Sequence, residues 1–340
     1  MPKVSVIIPN YNHAKFLVQR IETVLNQTFQ DFEIIFLDDA STDNSKEVFS
    51  NYSNHPKISH AIFNEANSGS PFKQWNKGFG LVTGEYIWIA ESDDYAEPTI
   101  LEKLVQKLDS YPMVGLVYSQ SWQVDENGTI GSTLVKWTDD LDRSKWLNDF
   151  NADGMDECKN YFSVKCVIPN ASAVLFRNQF IFELDSDIEK LKLCGDWLFW
   201  IKILLKSDLS FITEPLNYFR QHGNTARVRT KFEIQVLEQV IILNYLSLSV
   251  KIPKKVLYQS ISNLVKRYFR HIYLEPLNYK DLLKFYKQTI INSKLKLTPY
   301  YYIAINTDFL VCTFLLLRYK FGVKTRIKNL FKKGQPVKIQ

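Results

Sequence analysis

The sequence predicts an α/β fold in which helices cover both faces of a mostly parallel central sheet, followed by a helical C-terminal region. Short runs of apolar, often β-branched residues recur along the first part of the chain, as in VSVII (4–8). Amphipathic segments separate these runs, so that strand and helix alternate about every 30 residues. Strands that are apolar throughout are typical of parallel sheets, because both faces of such sheets are buried.

The strands and helices follow from the spacing of apolar residues and from the turn residues between them. Strands are predicted at 4–8, 32–37, 58–63, 85–90, 113–121, 171–176 and 216–224. Helices are predicted at 13–27, after the loop 38–45, at 71–84, 98–108 and 196–205, and a hairpin is predicted in VDENGTI (124–130). From Lys231 onwards only helical periodicity remains, at 231–250, 254–274, 279–292, 298–317 and 323–333.

The charge is distributed unevenly along the 340 residues. Residues 251–340 carry 19 Lys and Arg against 3 Asp and Glu, a net charge of +16, whereas residues 1–250 carry −10. Within 318–340, eight basic residues alternate with apolar ones and no acid occurs, which is a basic amphipathic pattern suited to an anionic membrane surface. A helical subdomain with solvated lysines is the alternative. Nucleic acid is not expected, because no recognition motif accompanies the charge.

Several protein classes are disfavoured by the sequence. The four cysteines have no metal-like spacing and are too few for a disulfide scaffold, so we expect a reducing compartment. The apolar run at the N-terminus is too short for a signal peptide, and the apolar stretch 303–317 is shorter than a bilayer span. The glycine-rich fingerprints of dinucleotide and P-loop sites are absent, so a ligand would be held mainly by side chains and a metal.

Polar residues follow three of the predicted strands, in PNYN (9–12), DDAST (38–42) and ESDD (91–94). Because ligands bind at the carboxyl ends of the strands in such sheets, we expect these segments to meet at one crevice. A divalent cation would remove the repulsion among the carboxylates of ESDD. Taken alone, the same residues fit a solvated acidic turn before the next helix equally well.

Two later segments carry further candidates. Asp196 begins a predicted helix and is crowded by Trp197 and Trp200, so partial desolvation would suit it to act as a general base; a simple helix cap is the alternative. Arg220 and His222 lie on one side of an extended segment, where both could meet phosphate oxygens, or could belong to an ordinary surface loop.

Together and in this order, these residues resemble the family 2 inverting glycosyltransferases with the GT-A fold, from about Lys3 to Arg227. The segments that carry the resemblance are KVSVIIPNYNHAKFLVQRIETVLNQTFQDFEIIFLDDASTDNS, GEYIWIAESDDYAEP and CGDWLFWIKI. The resemblance implies a Rossmann-like GT-A catalytic domain over residues 1–230. Residues 231–340 would then form a helical, basic C-terminal region that could associate with a membrane surface.

The resemblance also implies a role for each candidate residue. A nucleoside diphosphate sugar, usually a UDP-sugar, would contact Pro9, Tyr11, Asp38, Asp39, Lys73, Glu91, Ser92, Arg220 and His222. Asp93 and Asp94 would bind Mg²⁺ or Mn²⁺, and Asp196 would be the general base of a single inverting displacement. Two positions depart from the usual pattern, since Glu91 replaces the first Asp of the Asp-x-Asp motif and Gly195 stands where many members have an acid.

The expected partners are the sugar donor, a glycan or lipid-linked saccharide acceptor, and the anionic membrane surface. The expected location is cytoplasmic, peripheral to the inner face of the plasma membrane, in the synthesis of a bacterial surface polysaccharide such as O-antigen or capsule. One alternative is a nucleotide-binding scaffold of the same fold without turnover. A phosphoryl-transfer enzyme or phosphatase is a further alternative, although the sequence offers no Lys and Ser/Thr pair at strand ends for that chemistry.

Overall fold

A computed structural model of the protein describes residues 1–223 and 230–274. Within these ranges ten strands form one sheet: β1 (Val4–Asn10), β2 (Phe32–Asp38), β3 (Ile58–Phe63), β4 (Tyr86–Ile89), β5 (Tyr95–Ala96), β6 (Val114–Val124), β7 (Ile130–Thr133), β8 (Phe150–Ala152), β9 (Val174–Arg177) and β10 (Asp208–Arg220). The α-helices are α1 (Ala14–Leu25), α2 (Ser45–Ser50), α3 (Pro71–Phe79), α4 (Ile100–Ser110), α5 (Gly154–Glu157), α6 (Ser186–Glu189), α7 (Gly195–Leu204), α8 (Phe232–Ser249) and α9 (Lys254–Leu274).

The strand order is β3-β2-β1-β4-β9-β6-β10-β5, with β7 beside β6 and β8 beside β10. Strands β1 to β4 pair in parallel, and so do β6 and β10. Strand β9 separates these two parts and is antiparallel to both of its neighbours. The predicted α/β fold is therefore confirmed, but the sheet is mixed, because an apolar run by itself does not determine the direction of a strand.

Both faces of the sheet are covered, because successive side chains of a strand point to opposite sides. Along β1, Val4, Val6 and Ile8 pack in a core cluster with residues of α1 and α4. Ile7, between them, belongs to a second cluster that includes Trp75 of α3 and residues of α7. The two buried layers hold the sheet rigidly and leave its polar strand ends at one edge.

The turn before β4 shows why α3 ends at Phe79 rather than at the predicted Gly84. The backbone N–H groups of Thr83 and Gly84 donate to the Ser5 hydroxyl, at 3.2 and 2.9 Å. Glu33 also accepts from the backbone N–H of Thr83, at 3.0 Å. Polar side chains of β1 and β2 therefore bind the chain in a turn that the local sequence did not predict.

The first part of the C-terminal region packs on the preceding part of the chain. Ile242 and Leu246 of α8 belong to the core cluster that contains Trp200 of α7. The Ser260 hydroxyl of α9 donates to the carbonyl oxygen of Ser163 at 2.5 Å. The division at residue 230 stays a prediction, and the helices predicted at 279–292, 298–317 and 323–333, with the basic segment 318–340, lie outside the described residues. Of the helices in the described ranges, none combines the length and the apolar character needed to cross a membrane.

Candidate active site

Two arginines hold the acidic turn Glu91–Asp94, which follows β4 directly. Arg20 of α1 is fully buried and donates from Nε to the carbonyl oxygen of Glu91 at 2.8 Å. At the end of β10, the backbone N–H of Arg220 donates to Asp94 at 2.9 Å, and its Nε donates to the carbonyl oxygen of Asp93 at 2.8 Å. The turn is thus fixed from two sides in the conformation that brings its carboxylates together.

The surroundings give the carboxyl groups of Glu91, Asp93 and Asp94 different pKa values. Burial, reinforced by the charge of Asp93, raises the pKa of Glu91 to about 8 and that of Asp94 to about 7. Burial also opposes ionisation of Asp93, but the hydrogen bond from His222 and the nearby His13 outweigh it and hold its pKa below the usual value. Without a bound cation, the turn therefore concentrates its negative charge on Asp93.

Two histidines approach Asp93 from distant parts of the chain. The Nε2 atom of His222 lies 3.0 Å from a carboxylate oxygen of Asp93, and His13 Nδ1 lies 2.9 Å from the hydroxyl of Ser92. One ligand atom each of His13, Asp93 and His222 lie within 4.8 Å of one another, which is close enough to hold one metal ion. Asp94, the other predicted ligand, lies outside this cluster, and one of its oxygens accepts from the backbone of Arg220.

The prediction from sequence assigned Asp93 to the metal and His222 to the diphosphate, and it did not include His13. A signal was available, since His13 follows the polar strand end PNYN immediately. Imidazole nitrogen suits transition metals, whereas Mg²⁺ prefers an all-oxygen shell. The donor set His, Asp, His therefore suits Mn²⁺ better than Mg²⁺.

Asp38 and Asp39 lie buried at the carboxyl end of β2, beside β1. Asp38 accepts from the side chain of Asn10 at 2.8 Å and from the backbone N–H of Ser41 at 2.8 Å. The carboxylate of Asp39 accepts four hydrogen bonds, from Asn64 Nδ2, the backbone N–H and hydroxyl of Ser68, and Gln74 Nε2, at 2.7 to 2.9 Å. These bonds hold the loop 64–70 over Asp39.

The remaining predicted contacts are placed as follows. Pro9 is buried in β1 and Tyr11 is half-buried just after it. The ammonium of Lys73 on α3 donates to the carbonyl oxygen of Ser68, at 3.2 Å, on the loop over Asp39. Arg220 does not lie on an exposed loop, since it is 3% exposed and donates to Gln19 Oε1 and to the carbonyl oxygen of Asp125 at 2.6 and 3.1 Å. Its contacts within the described residues are those of a group that holds the acidic turn.

A cavity of about 580 Å³ joins the acidic turn to Asp196. Glu91, Asp93 and Asp94 line it, as does Asp196 in the first turn of α7. Its wall also has aromatic and amide side chains, among them Trp75, Trp137, Trp197, Asn170, Gln235, Gln239 and Asn263, and the cations of Lys165 and Arg267. Asp38 and Asp39 are not among the described residues that line it, so the predicted residues fall into two groups at the same edge of the sheet.

Gly195 allows α7 to approach α3 closely at the point where Asp196 enters the cavity. A Cβ atom at Gly195 would lie 2.5 Å from the ring of Phe72, which is far inside van der Waals contact. Asp196 is half-buried, and one of its oxygens accepts from the backbone N–H of Trp197 at 2.7 Å. The absence of an acid at position 195 thus has a packing reason in this chain.

Comparisons with known proteins agree with this architecture. The model of glycosyl transferase family 2 matches residues 5–162. The glycosyltransferase GlyG of Streptococcus pneumoniae is 38% identical over 122 residues, which are 34% of this chain and 39% of GlyG. An uncharacterised glycosyltransferase of Nostoc is 38% identical over 229 residues, 65% of each protein. The alignments thus cover about two fifths and two thirds of these relatives.

Among solved structures, residues 1–349 of TarS from S. aureus, in complex with UDP-GlcNAc, superimpose with a TM-score of 0.66. The alignment covers 94% of this chain and 92% of that one, at 18% sequence identity, so it shows a common fold. Residues 5–162 are therefore similar to glycosyl transferase family 2, both relatives are named as glycosyltransferases, and the chain shares the GT-A fold of TarS.

Proposed function

We propose that the protein is an inverting glycosyltransferase that moves a sugar from a UDP-sugar to a hydroxyl group of a glycan or lipid-linked acceptor. The observation that carries this proposal is the single cavity lined by both Asp93 of the acidic turn and Asp196 of α7. An inverting transfer needs a site that stabilises the negative charge of the leaving diphosphate and a base that deprotonates the acceptor. Both must face the same cavity. The TarS structures, which hold UDP-GlcNAc or UDP, support UDP as the nucleotide.

The nucleotide would bind at the ends of β1 and β2, with Pro9, Tyr11, Asp38 and Asp39 around the base and ribose. The Asp39 carboxylate already accepts four hydrogen bonds from the protein, so it is fixed in orientation before any ligand arrives. The diphosphate would extend towards Lys73 and the acidic turn. When a ligand binds to a preorganised site of this kind, little free energy is lost in ordering the side chains of the site.

His13, Asp93 and His222 would hold a divalent cation, for which Mn²⁺ is our first choice. When bound, such an ion supplies positive charge beside the departing diphosphate. Glu91 stays outside the cluster, and its carboxylate accepts from the indole N–H of Trp75 at 2.9 Å. The replacement of the usual aspartate by Glu91 is thus compatible with a supporting role next to the cation.

Asp196 would take the proton of the acceptor hydroxyl. As that O–H bond breaks, the oxygen forms a bond to the anomeric carbon, and the bond from this carbon to the diphosphate oxygen breaks. One displacement inverts the configuration, and UDP leaves with the bonding electron pair. The aromatic and amide side chains of the cavity wall would orient the acceptor and exclude water.

The proposal extends to the location of the protein. The charge of +16 over residues 251–340, and the amphipathic basic pattern of 318–340, support binding to the anionic cytoplasmic face of a membrane. A lipid-linked acceptor of a surface polysaccharide would be available there. Sedimentation with vesicles that contain or lack anionic lipid tests this part, and we expect binding only to the anionic vesicles.

Calorimetric titration with UDP, GDP, dTDP and CMP, with and without Mn²⁺, tests the donor class. We expect UDP to bind most tightly, roughly tenfold or more tighter with Mn²⁺ than without it. Asp93→Asn should remove the metal effect, and Asp187→Asn, which changes only an exposed ion pair with Lys190, should not. If UDP binds without any effect of Mn²⁺ or of Asp93→Asn, a metal-independent scaffold becomes the better explanation. If no nucleotide binds, the proposed function is wrong.

A further inference from the structure

The segment that leads into α7 is bound by a buried glutamate from α8. We propose that Glu238 positions the general base Asp196, so that the first helix of the C-terminal region is part of the catalytic machinery. Glu238 does not line the cavity and is a positioning residue. This inference rests on the proposed function, because it assumes that Asp196 is the base.

Three consecutive backbone N–H groups converge on the carboxylate of Glu238. Lys192 donates to one oxygen at 2.6 Å, and Leu193 and Cys194 donate to the other at 3.0 and 2.9 Å. The side chain of Glu238 is 4% exposed. Hydrogen bonds to an ionised acceptor are stronger than neutral ones, and burial of the carboxylate excludes water as a competing donor.

These three N–H groups lie immediately before α7, which begins at Gly195. Cys194 is the residue at the cap position, and no side chain of its own caps the helix there. The carboxylate of Glu238 therefore takes the place of a local cap and adds a negative charge near the positive end of α7. Asp196 is the second residue of this helix, so its backbone follows any shift of residues 192–194.

The position of Glu238 on α8 is itself well fixed. Ile242 and Leu246, on following turns of the same helix, are fully buried in the core cluster with Trp200. The helix therefore acts as a rigid support, and the glutamate transmits its position to the segment before Asp196. A misplacement of about 1 Å at a reacting group can lower a rate about 100-fold, so small shifts here should be visible in turnover.

The nucleotide site is held mainly by hydrogen bonds of its own, and the segment before α7 reaches its loop through two contacts: Lys192 Nζ donates to the carbonyl oxygen of Gly69 at 2.9 Å, and the Ser70 hydroxyl donates to the carbonyl oxygen of Leu191 at 3.4 Å. The loop 64–70 is held by four hydrogen bonds to Asp39, and Asp38 is held by Asn10 and Ser41. Because the four bonds to Asp39 outnumber these two contacts, loss of Glu238 should lower turnover much more than UDP affinity. A residue needed only for general stability would instead change binding, turnover and unfolding together.

The test compares the full-length wild type with Glu238→Ala, Glu238→Gln and the exposed-site control Asp187→Asn. Donor-saturated turnover, KM for the donor, UDP affinity and thermal unfolding are measured, along with hydrogen exchange of peptides that cover residues 190–198. For Glu238→Ala we expect kcat to fall about 10- to 100-fold, with KM and UDP affinity within about twofold of wild type. Exchange of amides 192–194 should become about tenfold faster or more in the same variant.

Glu238→Gln retains one neutral acceptor oxygen and should fall between wild type and Glu238→Ala, whereas Asp187→Asn should match wild type. Unchanged kcat or unchanged exchange at 192–194 in folded Glu238→Ala would overturn the proposal. The proposal would also be overturned if Glu238→Ala lost UDP binding and the folded state together with turnover. If the wild type transfers no sugar from any donor, the proposed function fails, and the exchange measurement alone then decides whether Glu238 holds this segment.

Discussion

The Nε2 atom of His222 lies 3.0 Å from a carboxylate oxygen of Asp93, although 129 residues separate them along the chain. The rings of His222 and His13 are in edge contact, with centroids 5.4 Å apart. This arrangement depends on the sheet, since β10 delivers His222 to the turn after β4 and β1 delivers His13. The three side chains form the donor set on which the metal proposal depends.

Replacement of either histidine by glutamine should weaken Mn²⁺ binding. His222→Gln and His13→Gln each remove one nitrogen donor but keep a side chain that can hydrogen bond, so we expect roughly 10- to 100-fold weaker Mn²⁺ binding in the presence of UDP. Calorimetry with Mn²⁺ at fixed UDP measures the effect. His60→Gln, at a half-buried position on β3 outside the cluster, is the matched control. Wild-type affinity in His13→Gln would remove His13 from the site and leave Asp93 and His222.

Asp196→Asn should abolish most of the transfer while the nucleotide still binds. The amide keeps the shape of the side chain but cannot accept the proton, and general bases contribute typically 10²- to 10⁴-fold to a rate. We therefore expect kcat to fall by about that factor, with UDP affinity and the unfolding temperature near wild type. UDP release with the physiological acceptor, once it is identified, or hydrolysis of the donor measures the rate. Full activity in this variant would require another base.

Arg220→Lys should destabilise the protein and disturb the metal site together. Arg220 donates to the carbonyl oxygens of Asp93 and Asp125 and to Gln19, and a lysine cannot reach all three. Because Arg220 is itself buried, a lysine ammonium left there with fewer hydrogen-bond partners should cost about 2–4 kcal/mol of the free energy of unfolding. Chemical denaturation and Mn²⁺ titration measure the two effects.

Arg177→Lys is the control for this prediction. Arg177 donates to the carbonyl oxygens of Val114 and Leu108, at the other end of the sheet strands. The Arg177→Lys variant should therefore have a lower free energy of unfolding but bind Mn²⁺ as the wild type does. If Arg220→Lys also leaves Mn²⁺ binding unchanged, then Arg220 is not required to shape the acidic turn.

Gly195→Ala should lower turnover, and a smaller side chain at position 72 should restore part of it. The added Cβ would meet the Phe72 ring at 2.5 Å, and overpacking of this kind typically costs about 1–3 kcal/mol. Because the collision lies next to Asp196, we expect a loss of kcat as well as of stability. Phe72→Leu alone and the double variant complete a double-mutant cycle. A double variant with no higher kcat and no higher stability than Gly195→Ala would contradict this explanation.

The order of the elements could be predicted from the sequence because each strand of the first half is a short apolar run between polar turns. Helices over 231–250 and 254–274 are likewise confirmed, within a residue or two, by Phe232–Ser249 and Lys254–Leu274. The antiparallel direction of β9, the length of β10 and the end of α3 at Phe79 were not predictable. They depend on pairing between distant strands and on side chains such as Ser5 and Glu33, which no local pattern records.

By itself the sequence determined that acidic segments follow buried strands and that Asp196 opens an apolar segment rich in tryptophan, because both follow from the local sequence. Only the tertiary structure decided which of these groups meet. It placed His13 beside Asp93, turned Arg220 into a support of the acidic turn, and brought Glu238 of α8 to the segment before Asp196. Contacts between residues far apart in the chain are set by how the helices pack on the two faces of the sheet, and that packing is a property of the whole core.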